Sequence, residues 1–240
     1  MPISTIVEFT IGISLIGILI ALMYITRALT LDGIVASAVM GLTILVLSGL
    51  SGFLVLLLFL VVGSIATYIG KEKKKKLEHL DVKDLFGRSA YNVMSNGIVA
   101  MIISSLYILN INENMVNIAY LASISAVLAD TLGSEIGVLS ENAYLITSFK
   151  RVPPGTNGGV SLLGTAATLT GAFLIGIVAL LYGYGVKELF VVAISGTVGA
   201  FIDSLLGATL ENRGIIDKGG VNMLCSASAA GFAIALLLVL

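Results

Sequence analysis

The sequence predicts an all-α integral membrane protein, a polytopic bundle of about eight transmembrane helices forming a single domain over residues 1–240. Three observations predict it. The chain is 58% hydrophobic and only 11% charged, with mean hydropathy +1.08, whereas soluble domains carry about 25% charged residues. Eight apolar runs approach the roughly 20 residues that cross a bilayer core. The basic residues, finally, are sorted by side.

The runs are, approximately, Ile3–Ile25, Ile34–Gly49, Leu50–Ile69, Ser89–Leu109, Met115–Leu139, Gly159–Tyr182, Leu189–Leu210 and Gly220–Leu240. The first has no basic flank before it, is too long for a signal-peptide core and lacks a small-x-small cleavage site, so it reads as a retained helix. With no transit peptide ahead of it, chloroplast residence is not expected. The second and third runs abut through Ser48-Gly49-Leu50-Ser51-Gly52 and suggest a tight helical hairpin. The loop of about residues 70–88 carries Lys71, Lys73–Lys76 and His79, and reads as a solvated tether touching anionic lipid.

With the amino terminus outside, every Lys and Arg except Lys187 falls on the inner side, out of 13 in the chain. That asymmetry sets orientation under the positive-inside rule and supports an even number of spans. Both termini are expected outside a cell membrane, with the polar chemistry in the cytoplasmic half. The single Cys225 rules out an internal disulfide and supports no metal motif. No nucleic-acid partner is expected.

Two aspartates lie inside the apolar runs: Asp130 in the fifth and Asp203 in the seventh. Each costs about 2.5–3.5 kcal/mol at the centre of a spanning helix, so such residues face a polar interior and serve function. Their surroundings are alike, Asp130-Thr131-Leu132-Gly133 against Asp203-Ser204-Leu205-Leu206-Gly207, and Ser125-Ala126-Val127 matches Ser195-Gly196-Thr197. Two same-direction helices from an internal duplication would each offer one carboxylate. Together they could hold Mg²⁺, which takes oxygen ligands from one or two carboxylates plus phosphates and water. Glu135 lies about 140° around the helix from Asp130, so a straight helix cannot aim both at one ion. Either Gly133 marks a distortion or Glu135 orients another group.

Lys150-Arg151-Val152-Pro153-Pro154-Gly155-Thr156-Asn157-Gly158-Gly159-Val160-Ser161 joins two cations to a Gly-rich turn and a helix start. Unpaired amides and the positive end of the following helix make an anion site. It is not a Walker A loop. Arg88, Asn92 and Asn96 recur at i, i+4 and i+8 and line one stripe, as a second phosphate clamp or as glue between helices. Asn222, beside Lys218-Gly219-Gly220, is similar and weaker, as is Glu211-Asn212-Arg213.

Ala129-Asp130-Thr131-Leu132-Gly133-Ser134-Glu135-Ile136-Gly137, Pro154–Ser161 and Asp203-Ser204-Leu205-Leu206-Gly207-Ala208 together resemble the signature blocks of the phytyl-phosphate kinase family. Arg88…Asn96-Gly97 and Val221-Asn222 extend the resemblance from about Leu31 over most of the chain. It implies a membrane enzyme that phosphorylates a prenyl monophosphate to the diphosphate, using CTP or another nucleoside triphosphate with Mg²⁺. It also implies distant similarity to phytol and dolichol kinases and to CDP-diacylglycerol synthases, and by analogy a homodimer. Carried over by motif, Asp130, Glu135 and Asp203 belong to the metal and catalytic site. Lys150 and the Pro154–Ser161 loop bind phosphates, with Arg151 beside them. From the residues' own chemistry, Arg88 with Asn92 could position the acceptor phosphate, with Asn96 and Asn222 as further substrate-binding candidates. Tyr91 and Asn212 depart from the expected Gln-type residues. Cytidylyl transfer to a lipid phosphate is the rival within enzymes. A secondary transporter using Asp130 and Asp203 as ion sites is the rival outside them; it predicts comparable polar groups in the outer half, which the sequence lacks.

Overall fold

A computed structural model describes residues 3–74, 88–109 and 111–240. Among these, seven helices are long and apolar enough to cross a membrane. The helices are α1 (Ile3–Thr26), α2 (Leu31–Tyr68), the one-turn α3 (Lys71–Lys74), α4 (Ala90–Ser105), α5 (Glu113–Gly137), α6 (Leu162–Leu181), α7 (Val186–Leu206) and α8 (Lys218–Val239). The protein is a multi-pass, helical membrane protein. The basic tether expected over 70–88 lies largely outside the described residues, His79 included; only its flanks, Lys71–Lys74 and Arg88, are seen.

At 38 residues, α2 is too long for one span, and it does not run straight. Gly49 sits at φ 70° and ψ −173°, inside a helix whose other residues are helical. That positive φ is where glycine replaces any L-residue at no steric cost. Both ends of α2 meet the same residue: the Thr30 N–H donates to the Arg88 carbonyl at 3.2 Å, and Arg88 Nη2 donates to Thr67 Oγ1 at 3.1 Å. The legs 31–48 and 50–68 therefore fold back on one another. The hairpin expected from the sequence is present, and with it the eight apolar runs become eight legs.

The central element is α5, with 78% of its most apolar window buried. Helices α6, α7, α8 and the α2 hairpin surround it. Small residues set the distances. A Cβ on Gly171 would lie 3.0 Å from Ala129 Cα, and one on Gly164 would lie 3.0 Å from the Gly133 carbonyl, so α5 and α6 touch backbone to backbone. Likewise Gly196 and Gly199 of α7 face Ser125 and Ala126 of α5. Lipid tails give no hydrophobic drive between helices, so close packing of small residues holds them. The two stretches that looked alike in sequence thus pack against each other, on helices running the same way.

One feature was not expected. Between α5 and α6 the chain forms a small antiparallel sheet of β1 (Ala143–Leu145), β2 (Arg151–Val152) and β3 (Gly159–Val160), in the order β2-β1-β3. Its register pairs Tyr144 with both Arg151 and Val160. Phe149 turns the first hairpin at φ 54°. The sheet ties the Gly-rich segment across one end of the bundle.

Candidate active site

A cavity of about 890 Å³ opens at that end, walled by α5, α7, the start of α8 and the Gly155–Ser161 segment. Asp130 and Asp203 both line it. They are near neighbours across the α5–α7 contact, and Lys218 and Glu211 lie close enough to share their field. Lys218 Nζ donates to Asp203 Oδ1 at 2.9 Å. Asp203 is 4% exposed, and its Oδ2 has no hydrogen-bond partner among the described residues. Glu211 Oε2 and Asn222 Oδ1 are buried without one as well. Buried polar atoms are nearly always satisfied, so an unmatched carboxylate oxygen on a residue that lines a cavity is a candidate ligand position.

Local structure explains how Glu211 reaches in. After Leu206 the helix widens into a π turn, Gly207–Glu211. Such turns favour functional sites because the extra residue re-aims side chains. Gly158 packs onto this turn at φ +73°, where a Cβ would lie 2.7 Å from the Ser204 carbonyl. The Asn157 side chain lies beside Glu211. Ser161 caps α6, accepting from the Gly164 N–H at 3.0 Å and donating to the Gly137 carbonyl at 3.3 Å. The positive end of a 20-residue helix therefore points at the chamber.

Glu135 takes the other direction, as the 140° separation requires. Helix α5 runs unbroken through Gly133, so the expected choice between distortion and reorientation falls to the second. Glu135 Oε2 accepts from Lys74 Nζ at 2.6 Å and Oε1 accepts from Thr67 Oγ1 at 2.9 Å. Arg88 stands 3.9 Å away. Lys74 is only 8% exposed and also donates to the Ala66 and Thr67 carbonyls. This network forms the opposite wall of the chamber.

Of the residues singled out in the sequence, Asp130, Glu135, Asp203, Gly155, Thr156, Asn157, Gly158, Gly159, Ser161 and Asn92 line the cavity. Lys150 and Arg151 do not. They sit on the exposed hairpin, where Arg151 Nη2 donates to the Glu141 carbonyl at 3.4 Å. Pro154 is likewise outside the lining. Asn96 and Asn222 join α4 to α8, Asn222 Nδ2 donating to Asn96 Oδ1 at 3.1 Å, which is the glue alternative. Arg88 faces Thr67 and a separate apolar slot. The cations inside the chamber are Lys218 and Lys74. From the sequence, Lys74 reads as part of the orienting, lipid-touching basic patch, and Lys218 as an orienting residue beside the weaker Asn222 stretch.

Tyr91, one of the two departures, has a structural task. Its hydroxyl donates to Asp217 Oδ2 at 2.6 Å, while Asp217 Oδ1 caps α8 by accepting from Gly220 N–H at 2.9 Å. The Tyr91 hydroxyl and the Gly220 amide hold the Asp217 carboxyl below the usual carboxylate range. Asp32, another polar residue of this end, caps α4 by accepting from the Ala90 N–H at 2.9 Å.

The oxygen set fits a hard divalent cation. Asp130, Asp203 and Glu211 supply carboxylates, two of them with an unmatched buried oxygen. Among the described residues no group of three or more His, Cys, Asp or Glu side chains is placed to hold a metal ion. Mg²⁺ commonly takes only one or two carboxylates beside water and phosphate oxygens, so Asp130 and Asp203 are the residues that could hold it.

Comparison with known proteins agrees with the membrane architecture. A sequence profile described as "Integral membrane protein DUF92" matches residues 14–234. The chain is 34% identical to "Uncharacterized membrane protein MJ0933" of Methanocaldococcus jannaschii over 93% of its length and 92% of the relative's. It is 30% identical to "Protein PGR" of Arabidopsis thaliana, covering 80% of this chain and 75% of that one. It is 27% identical to "Protein VTE6, chloroplastic" of the same plant, covering 79% and 58% respectively. No solved structure matches. The chain is therefore a member of the DUF92 integral membrane protein family.

Proposed function

We propose that this protein is a nucleotide-dependent kinase, using CTP or another nucleoside triphosphate, that converts a prenyl monophosphate to its diphosphate at the cytoplasmic face of a cell membrane. The observation that carries the reading is the Asp130–Asp203 pair, with Asp203 buried, lining one chamber with a Gly-rich loop and a helix N-terminus. Carboxylates for a cation and amides for phosphate oxygens are the parts phosphoryl transfer needs, since its demands are alignment and charge neutralisation. The motif resemblance and family membership support it from the sequence side. The chamber volume also lies within the range of small-molecule sites, about 300–1,000 Å³.

Asp130 and Asp203 would hold Mg²⁺, with Glu211 beside them. Held by these carboxylates, it would supply positive charge against the transferring phosphate. The chain's own groups do the rest. Amides of the Gly155–Ser161 segment and the α6 terminus bind donor phosphates. Lys218, half exposed at 52% while its partner Asp203 is buried, can swing from the carboxylate to a phosphate oxygen. Lys74 and Glu135 brace the facing wall, and Arg88 with Asn92 holds the acceptor phosphate at the chamber's edge. An acceptor phosphate is ionised near neutral pH, its second pKa being about 6, so no strong general base is needed.

The test is transfer of label from γ-labelled CTP or ATP to geranylgeranyl or phytyl monophosphate by purified protein with Mg²⁺. Labelled prenyl diphosphate, abolished by Asp130→Asn and by Asp203→Asn, supports the proposal. Folded protein that transfers no label to any chain length from any nucleotide refutes it.

A further inference from the structure

Helix α1 closes on Arg27, which stands at φ 54°. The Ala28 N–H reaches back to the Met23 carbonyl at 3.3 Å, a helix-ending pattern whose left-handed residue is usually glycine. Other side chains are strained there, and residues kept in such conformations cluster at functional sites. Backbone groups hold the chain beyond: the Arg88 N–H donates to the Ala28 carbonyl at 3.0 Å, and the Thr30 N–H to the Arg88 carbonyl at 3.2 Å. The turn needs this shape, but nothing in the shape needs a guanidinium. Among the described residues no carboxylate is paired with Arg27.

A cleft of about 440 Å³ lies at this turn, between the end of α1 and the start of α2. Its polar lining, Arg27 and Thr30, belongs to the turn itself, outside both spans. Tyr24 and Ile25 of α1, with Leu31 and Ile34 of α2, line it from the adjoining helical turns inside the spans. Ile25 is 75% and Leu31 70% exposed, so the cleft is open on an apolar flank that faces lipid. Thr30 also lines the chamber, so cleft and chamber share a wall. A cation at the membrane edge with apolar flanks a turn deeper matches the build of a lipid, phosphate at the edge and chain below. The volume falls within the range of small-molecule sites, about 300–1,000 Å³. It holds a headgroup and the first carbons; the rest of the chain stays in the bilayer and needs no enclosure.

We infer that the α1–α2 cleft receives the phosphate end of the acceptor lipid on Arg27, across the Thr30 wall from the chamber; the acceptor's identity rests on the kinase reading. The chemistry recognised is a phosphate carried by a lipid, which the acceptor shares with anionic phospholipids. Two arguments favour the acceptor. The cleft adjoins the chamber where the acceptor must react. A monoester phosphate also carries about −1.5 to −2 charge near neutrality, more than the phosphodiester of a phospholipid, and a guanidinium bonds the more highly charged group more strongly. Arg27 is not among the residues lining the chamber, so it serves arrival and not the transfer step.

The experiment uses the full chain in phosphatidylcholine nanodiscs and geranylgeranyl monophosphate bearing a photoreactive diazirine on the isoprene unit next to the phosphate. Label is expected on the segment 24–34. Excess unlabelled geranylgeranyl monophosphate should remove it, and an equal excess of phosphatidylglycerol should leave it in place. Label confined to other segments overturns the site. Equal competition by phosphatidylglycerol makes the cleft a general contact for anionic lipid and overturns its assignment to the acceptor. Arg27→Gly is the decisive variant, because glycine accepts the positive φ, so its thermal midpoint should equal or exceed the parent's. It should lower labelling of 24–34 about tenfold, near the lower end for losing a hydrogen bond to a charged group, while kcat at saturating acceptor is kept. Unchanged labelling in Arg27→Gly, or a loss confined to kcat, overturns the role given to Arg27. Labelling of 24–34 in a parent that transfers no phosphate would remove the kinase reading and keep a lipid-phosphate site. Transfer by a parent left unlabelled there would do the reverse.

Discussion

Lys218 holds one oxygen of Asp203 at 2.9 Å and leaves the other without a partner. The lysine comes from the first turn of α8 and the aspartate from the last turns of α7, so the ion pair ties two helices across the chamber. Replacing Lys218 with Met should lower turnover by about 10²-fold, the usual cost of losing one preorganised charge-stabilising group. The same substitution with unchanged turnover would show that Lys218 only balances Asp203.

Asp203 and Glu135 should separate in their response to the cation. Asp203→Asn is expected to raise the Mg²⁺ concentration needed for half-maximal activity at least tenfold. Glu135→Gln should leave that midpoint in place, because Glu135 is engaged by Lys74 and Thr67. Its cost should instead appear as stability, about 1–3 kcal/mol, the range for a partly buried charged group losing its partner. A Mg²⁺ titration and a denaturation curve on each variant read both quantities.

The chamber's floor depends on backbone contact. Gly171→Val would set a branched side chain against Ala129, one residue from Asp130, where even a Cβ meets Cα at 3.0 Å. A loss of about 1–3 kcal/mol is expected from overpacking, with activity falling further as Asp130 shifts. Gly231→Ala is the control, since a Cβ there meets nothing within 4 Å.

Acid should weaken the α8 cap. Asp217 has a folded pKa below its unfolded value, so the unfolded chain binds the proton more readily. Its contribution is complete above the ordinary carboxylate pKa of about 3.9 and fades as pH falls through the lowered folded value. The difference in thermal midpoint between parent and Asp217→Ala should therefore be constant near neutrality and shrink at acid pH. A difference independent of pH would mean the carboxylate's charge is irrelevant to the cap.

Much of this was legible in the sequence, for physical reasons. The spans follow from apolar length, the hairpin from Gly49, and the Asp130–Asp203 pairing from two costly residues in matching surroundings. The opposite aims of Asp130 and Glu135 follow from helix geometry alone. What sequence could not supply was the direction of residues near helix ends. Lys218 and Lys74 looked like orientation signals because a basic residue at a membrane edge satisfies that role wherever it points. Lys150 and Arg151 looked like phosphate ligands because they adjoin the Gly-rich turn. The strand pairing of Tyr144 with Arg151 instead fixes them on the outer hairpin. The signal for Lys218 was present, in Lys218-Gly219-Gly220 two residues before Asn222, but nothing marked it above its neighbours. Glu211 enters through a π turn, which no hydropathy pattern announces.

The most direct test of the central claim is a paired-label reaction: α-labelled and γ-labelled CTP, in parallel, with geranylgeranyl monophosphate, Mg²⁺ and the purified protein. The account predicts that only the γ label enters lipid, as the diphosphate, with CDP left behind. Entry of the α label, with pyrophosphate released, would contradict it and make the same chamber a cytidylyltransferase.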